Sequence, residues 1–221
     1  MSKFVIWFAK VTGYIPYMLH FKPKVYYLDK NKQSKKIKGS AILISNHISV
    51  IDFILIMMIF VKRNIRVLVG EVLFNKNKLL TWFLNKIGAI KVDRYKNDIS
   101  FTKKILKTLK NDGVLHIFPE GRLPTAEEKD LLPFKPGYVY FALRTKTPII
   151  PIYMKRYYKK NNKTIARTDM LIGEPILLND LLDETKQEKE NIEVLNQYVY
   201  DYMKSLGNKL EDIKEQKKKK K

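Results

Sequence analysis

Short apolar runs alternate with amphipathic stretches along most of the chain, and this alternation restricts the fold more than any other feature. Val25–Leu28, Ala41–Ser45, Ile65–Val69, Ile90–Val92, Val114–Phe118, Pro148–Tyr153 and Thr164–Ile172 have strand length and strand composition. Val50–Val61 is too long for most strands and reads as a buried helix. Leu79–Ile87, Ile99–Leu109 and Gly137–Lys146 carry helical spacing, with Gly113 as a stop after the second. Strands alternating with helices predict an α/β fold, a mixed and mostly parallel sheet flanked by helices. Thr164–Ile172 is expected at an edge of that sheet.

The two ends differ from the middle. Residues 1–24 form an N-terminal amphipathic segment. Phe4, Phe8, Val11, Ile15 and Met18 recur at spacings of three and four, with Trp7 and Tyr14 as rings suited to a membrane interface. Pro16 is expected to kink this helix or end it early. The stripe fits either a helix packed on the core or one lying in a membrane interface. At the other end, Ile192, Leu195, Val199, Tyr202, Leu206, Leu210 and Ile213 predict one long amphipathic helix docked on the domain. The expected organisation is residues 1–24, an α/β domain over 25–216, and a lysine tail at 217–221. The middle unit is expected to fold without either end.

Charge narrows the partners. The chain of 221 residues carries a formal net charge of +21. Residues 1–179 hold 33 basic and 12 acidic residues, residues 180–216 hold 5 and 10, and Lys217–Lys221 supply the remaining five. Such an excess favours an anionic partner: nucleic acid, an anionic membrane surface or a phosphorylated ligand. Lysine greatly outnumbers arginine, which composition bias alone can produce, so the raw charge carries less weight than its placement. The absence of cysteine excludes disulfides, thiolate metal sites and a cysteine nucleophile. No run reaches the roughly 18–20 apolar residues of a membrane span. The longest uncharged apolar run is Phe53 to Val61. Lys10 interrupts the first apolar stretch and no small-residue cleavage site follows, so no signal peptide is expected.

Several chemistries drop out. No two of the nine glycines stand two apart, so there is no dinucleotide-binding fingerprint, and neither a P-loop nor a GxSxG elbow is present. His20, His47 and His116 form no metal-ligand pattern, and no metal site is expected. His47 is the informative histidine. It lies in Asn46-His47-Ile48-Ser49-Val50-Ile51-Asp52, after a predicted strand and before a predicted helix. Pocket residues of open α/β sheets gather beyond the carboxyl ends of strands. Asp52, early in the helix, can turn back to the imidazole, fix its tautomer and raise the basicity of the far nitrogen. That is the arrangement of a general base acting on a hydroxyl. The same residues also fit a polar loop in which Asn46 or Ser49 caps a helix.

Two further blocks stand at predicted strand ends, Gly88 to Arg94 and Phe118-Pro119-Glu120-Gly121-Arg122, and a third, Pro148 to Ile152, is an apolar strand bounded by prolines. In this order the four blocks resemble those of the glycerolipid acyltransferases, the lysophosphatidic acid acyltransferase group. The resemblance spans roughly residues 40–155. It implies transfer of an acyl group, from acyl-CoA or acyl-carrier protein as co-substrate and without a bound cofactor, to the free hydroxyl of a lysophospholipid. The implied acceptor is 1-acyl-sn-glycerol-3-phosphate and the product phosphatidic acid. His47 would be the base and Asp52 its orienter. Asn46, Ser49, Arg94, Glu120, Gly121 and Arg122 would form the acceptor site. A guanidinium suits phosphate because its fork matches two oxygens. Arg94 and Glu120 equally fit a mutual salt bridge. In the third block Arg122-Leu123-Pro124 stands where the family has Thr-Arg-Ser after the glycine, and Lys91 stands where the second block has an aromatic residue. These departures leave another lysophospholipid or glycerol 3-phosphate open as acceptor. The implied location is the cytoplasmic face of the cell membrane, peripheral or monotopic, with membrane lipids and their anionic surface as partners. The rival from another class is a nucleic-acid-binding protein. It rests on the charge and on Arg156-Tyr157-Tyr158-Lys159-Lys160, where basic and aromatic residues meet. No recognised nucleic-acid-binding signature supports it, and no nucleic-acid partner is expected.

Overall fold

The computed structural model describes residues 2–92, 100–160 and 164–219. The chain begins with helix α1 (Lys3–Phe21), then strands β1 (Pro23–Tyr27) and β2 (Ala41–Ser45), helix α2 (Asp52–Ile59) and strand β3 (Ile65–Gly70). It continues through α3 (Glu71–Phe74), α4 (Lys78–Ile87), β4 (Ile90–Val92), α5 (Ser100–Lys110) and β5 (Val114–Ile117). It ends with α6 (Gly137–Thr145), β6 (Ile149–Tyr158), β7 (Ile165–Ile172), a 3-10 turn (Leu178–Leu181) and α7 (Glu188–Lys219). The strands form one seven-stranded sheet in the order β1-β7-β6-β2-β5-β3-β4. β2, β3, β4, β5 and β6 run parallel; β7 is antiparallel to β6, and β1 is parallel to β7. The mixed, mostly parallel sheet and the docked C-terminal helix match the sequence reading.

Period-two alternation sorts the core into two layers. On β2, Ala41 and Leu43 join the layer shared with α1, α2 and α4, whereas Ile42 and Ile44 join the layer shared with α5, α6 and α7. β2 is buried at every position because helices cover both faces. The α2 segment is apolar all round for the same reason and is buried from Phe53 to Ile59 except at Ile54.

One expectation is corrected. β7 is not an edge strand. β1 pairs along it from Pro23↔Thr168 to Tyr27↔Ile172, and Thr168–Ile172 is wholly buried. The edges are β1 and β4. Of the two effects expected of Pro16, the early end does not occur: helix α1 continues to Phe21, where Lys22 closes it in the left-handed conformation. Of the two settings open to its apolar stripe, most of the stripe takes the exposed one, and only Met18 packs on the core. Ile6, Lys10 and Phe21 are buried, while Phe4, Phe8, Val11 and Ile15 are 53–70% exposed. Lys10 anchors the helix, with its ammonium donating to the carbonyls of Val61 and Arg63, both at 2.7 Å, just past the end of α2. A cation suits the carbonyl end of a helix.

Candidate active site

Three parallel neighbours at the centre of the sheet, β5, β2 and β6, deliver the site. Asn46 and His47 follow β2, Phe118 to Gly121 follow β5, and Met154 to Arg156 extend β6 past the last β2 pair, Ser45↔Ile152. The site therefore lies beyond the carboxyl ends of the strands, where loops replace pairing.

Asn46 sets the position of the loop. Its amide nitrogen donates to the Met154 carbonyl at 2.9 Å and its amide oxygen accepts the Met154 N–H at 2.7 Å. A side chain thus prolongs the β2–β6 ladder by one step. The backbone N–H of His47 donates to Glu120 Oε1 at 2.7 Å, and that of Leu132 to Oε2 at 3.1 Å. Glu120 is buried and braces two loops. Burial lifts its carboxyl above the ordinary range, and the two N–H donors oppose that shift. Gly121 follows at φ +74°, a left-handed conformation in which a Cβ would also press on the Lys135 side chain at 3.0 Å.

Asp52 collects the loop onto itself. Its Oδ2 accepts the N–H groups of Ile48 at 2.7 Å and Ser49 at 2.6 Å, and lies 3.3 Å from His47 Nδ1. Its Oδ1 accepts from Arg156 Nη2 at 2.6 Å. The carboxylate is fully buried, and burial would raise it. The His47 hydrogen bond, the Arg156 charge and the Ser49 N–H outweigh burial and hold it below the usual carboxylate range. An ionised Asp52 accepts at Nδ1–H, which assigns the proton to Nδ1 and leaves Nε2 of His47 as the basic atom. The imidazole is flat against Phe118, ring centres 3.9 Å apart at 16°, and its side chain retains 14% exposure. A basic nitrogen on a fixed, partly open ring can take a proton from a bound hydroxyl.

The other sequence candidates lie in different settings. Ser49 contributes its backbone N–H to the dyad. Arg122 is half exposed and forks onto Glu128, with Nη1–Oε2 at 2.7 Å and Nη2–Oε1 at 2.5 Å. Arg94 lies outside the described residues. Arg156, grouped in the sequence with an exposed basic and aromatic run, is buried on Asp52, so that run loses its first member as a nucleic-acid contact. His116 and Phe118 are additions that sequence reasoning missed. His116 is fully buried, 2.9 Å from Ser45 Oγ through Nε2 and edge-on to Phe118 at 4.5 Å. Strand parity places His116 beside Ser45 on the α2 side of the sheet and was the available signal for it.

Comparison with known proteins gives the family and the fold. A family model described as Acyltransferase matches residues 24–155. A 1-acyl-sn-glycerol-3-phosphate acyltransferase of Bacillus subtilis is 28% identical over 196 residues, 86% of this chain and 90% of that protein. A coconut (Cocos nucifera) protein of the same name is 30% identical over 115 residues, 52% of this chain and 37% of its own length. The crystal structure of the Thermotoga maritima 1-acyl-sn-glycerophosphate acyltransferase superposes with a TM-score of 0.66 at 20% identity. The match covers 96% of this chain and 80% of that one, and carries the fold. The matched family segment holds the loop of His47, the carboxylate that orients it and the brace of Glu120, and the chain belongs to the acyltransferase family.

Proposed function

We propose that the protein transfers a fatty acyl group from an acyl thioester, acyl-CoA or acyl-carrier protein, to the free hydroxyl of 1-acyl-sn-glycerol-3-phosphate, giving phosphatidic acid at a membrane surface. The observation that carries the reading is the His47 imidazole held through Nδ1 by a buried, ionised Asp52. His47 Nε2 takes the proton of the acceptor hydroxyl as its oxygen attacks the thioester carbonyl. The tetrahedral intermediate collapses with cleavage of the C–S bond, and the imidazolium returns the proton to the departing thiolate. Asp52 stabilises the imidazolium in between. The names of the related proteins favour a lysophosphatidic acid acceptor. A half-exposed Arg122, forked onto a partly exposed Glu128, is placed to exchange that partner for a phosphate.

The test is thiol release from long-chain acyl-CoA with a panel of acceptors: lysophosphatidic acid, lysophosphatidylethanolamine, lysophosphatidylglycerol and glycerol 3-phosphate. Lysophosphatidic acid should give the highest kcat/KM. His47→Ala should lose about 10²–10⁴-fold in kcat with its thermal unfolding little changed. Near-normal turnover in that variant would remove His47 from the chemistry. Preference for another acceptor would leave the mechanism and move the substrate.

A further inference from the structure

Arg156 lies outside all four sequence blocks, four residues past the last of them, yet it touches the dyad. Ile150, Ile152 and Met154 alternate into the layer shared with α1 and α2, and Arg156 is the next residue of that parity. Its side chain is 2% exposed against a fully buried Asp52. We infer that Arg156 is the positioning residue of the dyad, dividing the Asp52 carboxylate so that one oxygen is pinned and the other serves His47. This rests on the acyltransferase reading of His47 and Asp52.

The division is visible atom by atom. Oδ1 is held by Arg156 Nη2 at 2.6 Å, and Oδ2 holds Ile48 N, Ser49 N and His47 Nδ1. A carboxylate turns about one bond, so fixing Oδ1 fixes where Oδ2 points. The charge matters as well as the angle. An isolated buried carboxylate neutralises itself by taking up a proton, and a neutral Asp52 would not stabilise an imidazolium. Arg156 supplies the compensating charge and is itself shielded. Phe21, the last residue of α1, is fully buried with its ring centre 5.0 Å from the guanidinium carbon, and Thr168 Oγ1 lies 3.5 Å from Nε. A guanidinium tolerates such a dry, stacked setting better than an ammonium.

The experiment is a cycle of Arg156→Gln, Asp52→Asn and the double variant, with Arg156→Lys alongside. It is assayed by thiol release with lysophosphatidic acid and by ¹⁵N-histidine NMR. Arg156→Gln should lower kcat about 10²-fold, the scale of general-base assistance, with KM for both substrates changed less than about threefold. Lysine should recover part of the loss. In the Asp52→Asn background the same change should cost less than about threefold, because a residue acting through Asp52 has nothing left to act on. The hydrogen-bonded Nδ1–H signal of His47, identified by its absence in His47→Ala, should disappear in Arg156→Gln. If Arg156→Gln does not fold, the double variant, which removes both charges, and Arg156→Lys carry the same comparison. Losses that multiply in the double variant, or a retained Nδ1–H signal with wild-type kcat, overturn the proposal. A wild-type protein that gives the expected spectra but transfers no acyl group would overturn the acyltransferase reading and leave the positioning role standing.

Discussion

At the site every hydrogen bond to Asp52 or Glu120 ties a residue to something it needs, and this makes single-atom changes informative. Glu120→Gln replaces one acceptor oxygen with an NH₂ group, so either the His47 or the Leu132 N–H must lose its partner. An unsatisfied buried donor costs about 1–3 kcal/mol, which should show in the denaturant midpoint at unchanged m and in a parallel fall of kcat. His116 makes a different prediction. Burial, and then the neighbouring His47, push its ring down to about 3 from an ordinary 6.5, so the fold holds it neutral. Its contribution is complete above pH 6.5 and is lost as pH falls from there toward 3, because only the unfolded chain takes up the proton. A single such proton changes stability by about 1.4 kcal/mol per pH unit. Asp52, lowered from 3.8, loses its contribution only below that value. Glu120, raised by burial, works in the opposite sense on acidification. The His116→Phe variant should therefore show a flatter urea midpoint between pH 6.5 and 4.5 than the wild type. An unchanged slope would mean that His116 is protonated in the fold. His47 and Asp52 are legible in the sequence because only four residues separate them and one loop joins them. Arg156 is not, because its partner is 104 residues away and only strand parity, known once β6 is placed, turns it inward.

Element by element, the sequence places the strands and long helices and misplaces their surroundings. β6 reads as Pro148–Tyr153 but continues to Tyr158, since its antiparallel ladder with β7 carries it through Lys155 and Arg156, which interrupt the apolar signal. β7 reads as an edge because nothing local reveals that β1, more than 130 residues earlier, covers it. In α1 the period is legible and the docking face is not: the buried contacts are one isoleucine, one lysine and one phenylalanine. Those contacts change what a deletion means. Removing residues 1–20 would uncover the α2 and α4 surfaces that α1 packs on, and we expect it to cost stability. Lys10→Met keeps the stem and removes the ammonium, leaving the Val61 and Arg63 carbonyls without their donor. We expect it to lower stability by about 1–3 kcal/mol by thermal or urea unfolding, with kcat per folded molecule unchanged. A larger loss of activity than of folded protein would show that α1 also governs the site, by way of Phe21 and Arg156.

On the scale of the whole molecule, the two faces of the sheet differ in what they offer a membrane. The α1 face exposes Phe4, Trp7, Phe8, Val11, Tyr14, Ile15 and Leu19, and on the same side Val72 of α3 with Leu79 and Trp82 of α4. The start of α1 is tied to the end of α4 by Ser2 N–H to the Lys86 carbonyl at 2.8 Å, so these rings belong to one rigid side. The opposite side is covered by α7, in which seven acidic and seven basic residues balance. Among the described residues no helix is long and apolar enough to cross a membrane. Such a surface fits a protein that lies on a bilayer through α1 and turns α7 away. Two attractions then act together. Ring burial is indifferent to salt, whereas each lysine near an anionic leaflet contributes on the order of 1 kcal/mol that fades within a Debye length. We expect sedimentation with anionic vesicles that weakens as salt rises and does not vanish. Phe4→Ser with Trp7→Ser and Phe8→Ser alters only exposed positions, so folding should be preserved. Because burying one such side chain is worth about 1.5–3 kcal/mol when complete, even partial insertion of three should make the loss of partitioning at least about tenfold. The loss should persist at high salt, where the lysines no longer help. A triple variant that sediments like the wild type under both conditions would place the membrane contact away from α1, and the exposed stripe would then need another explanation.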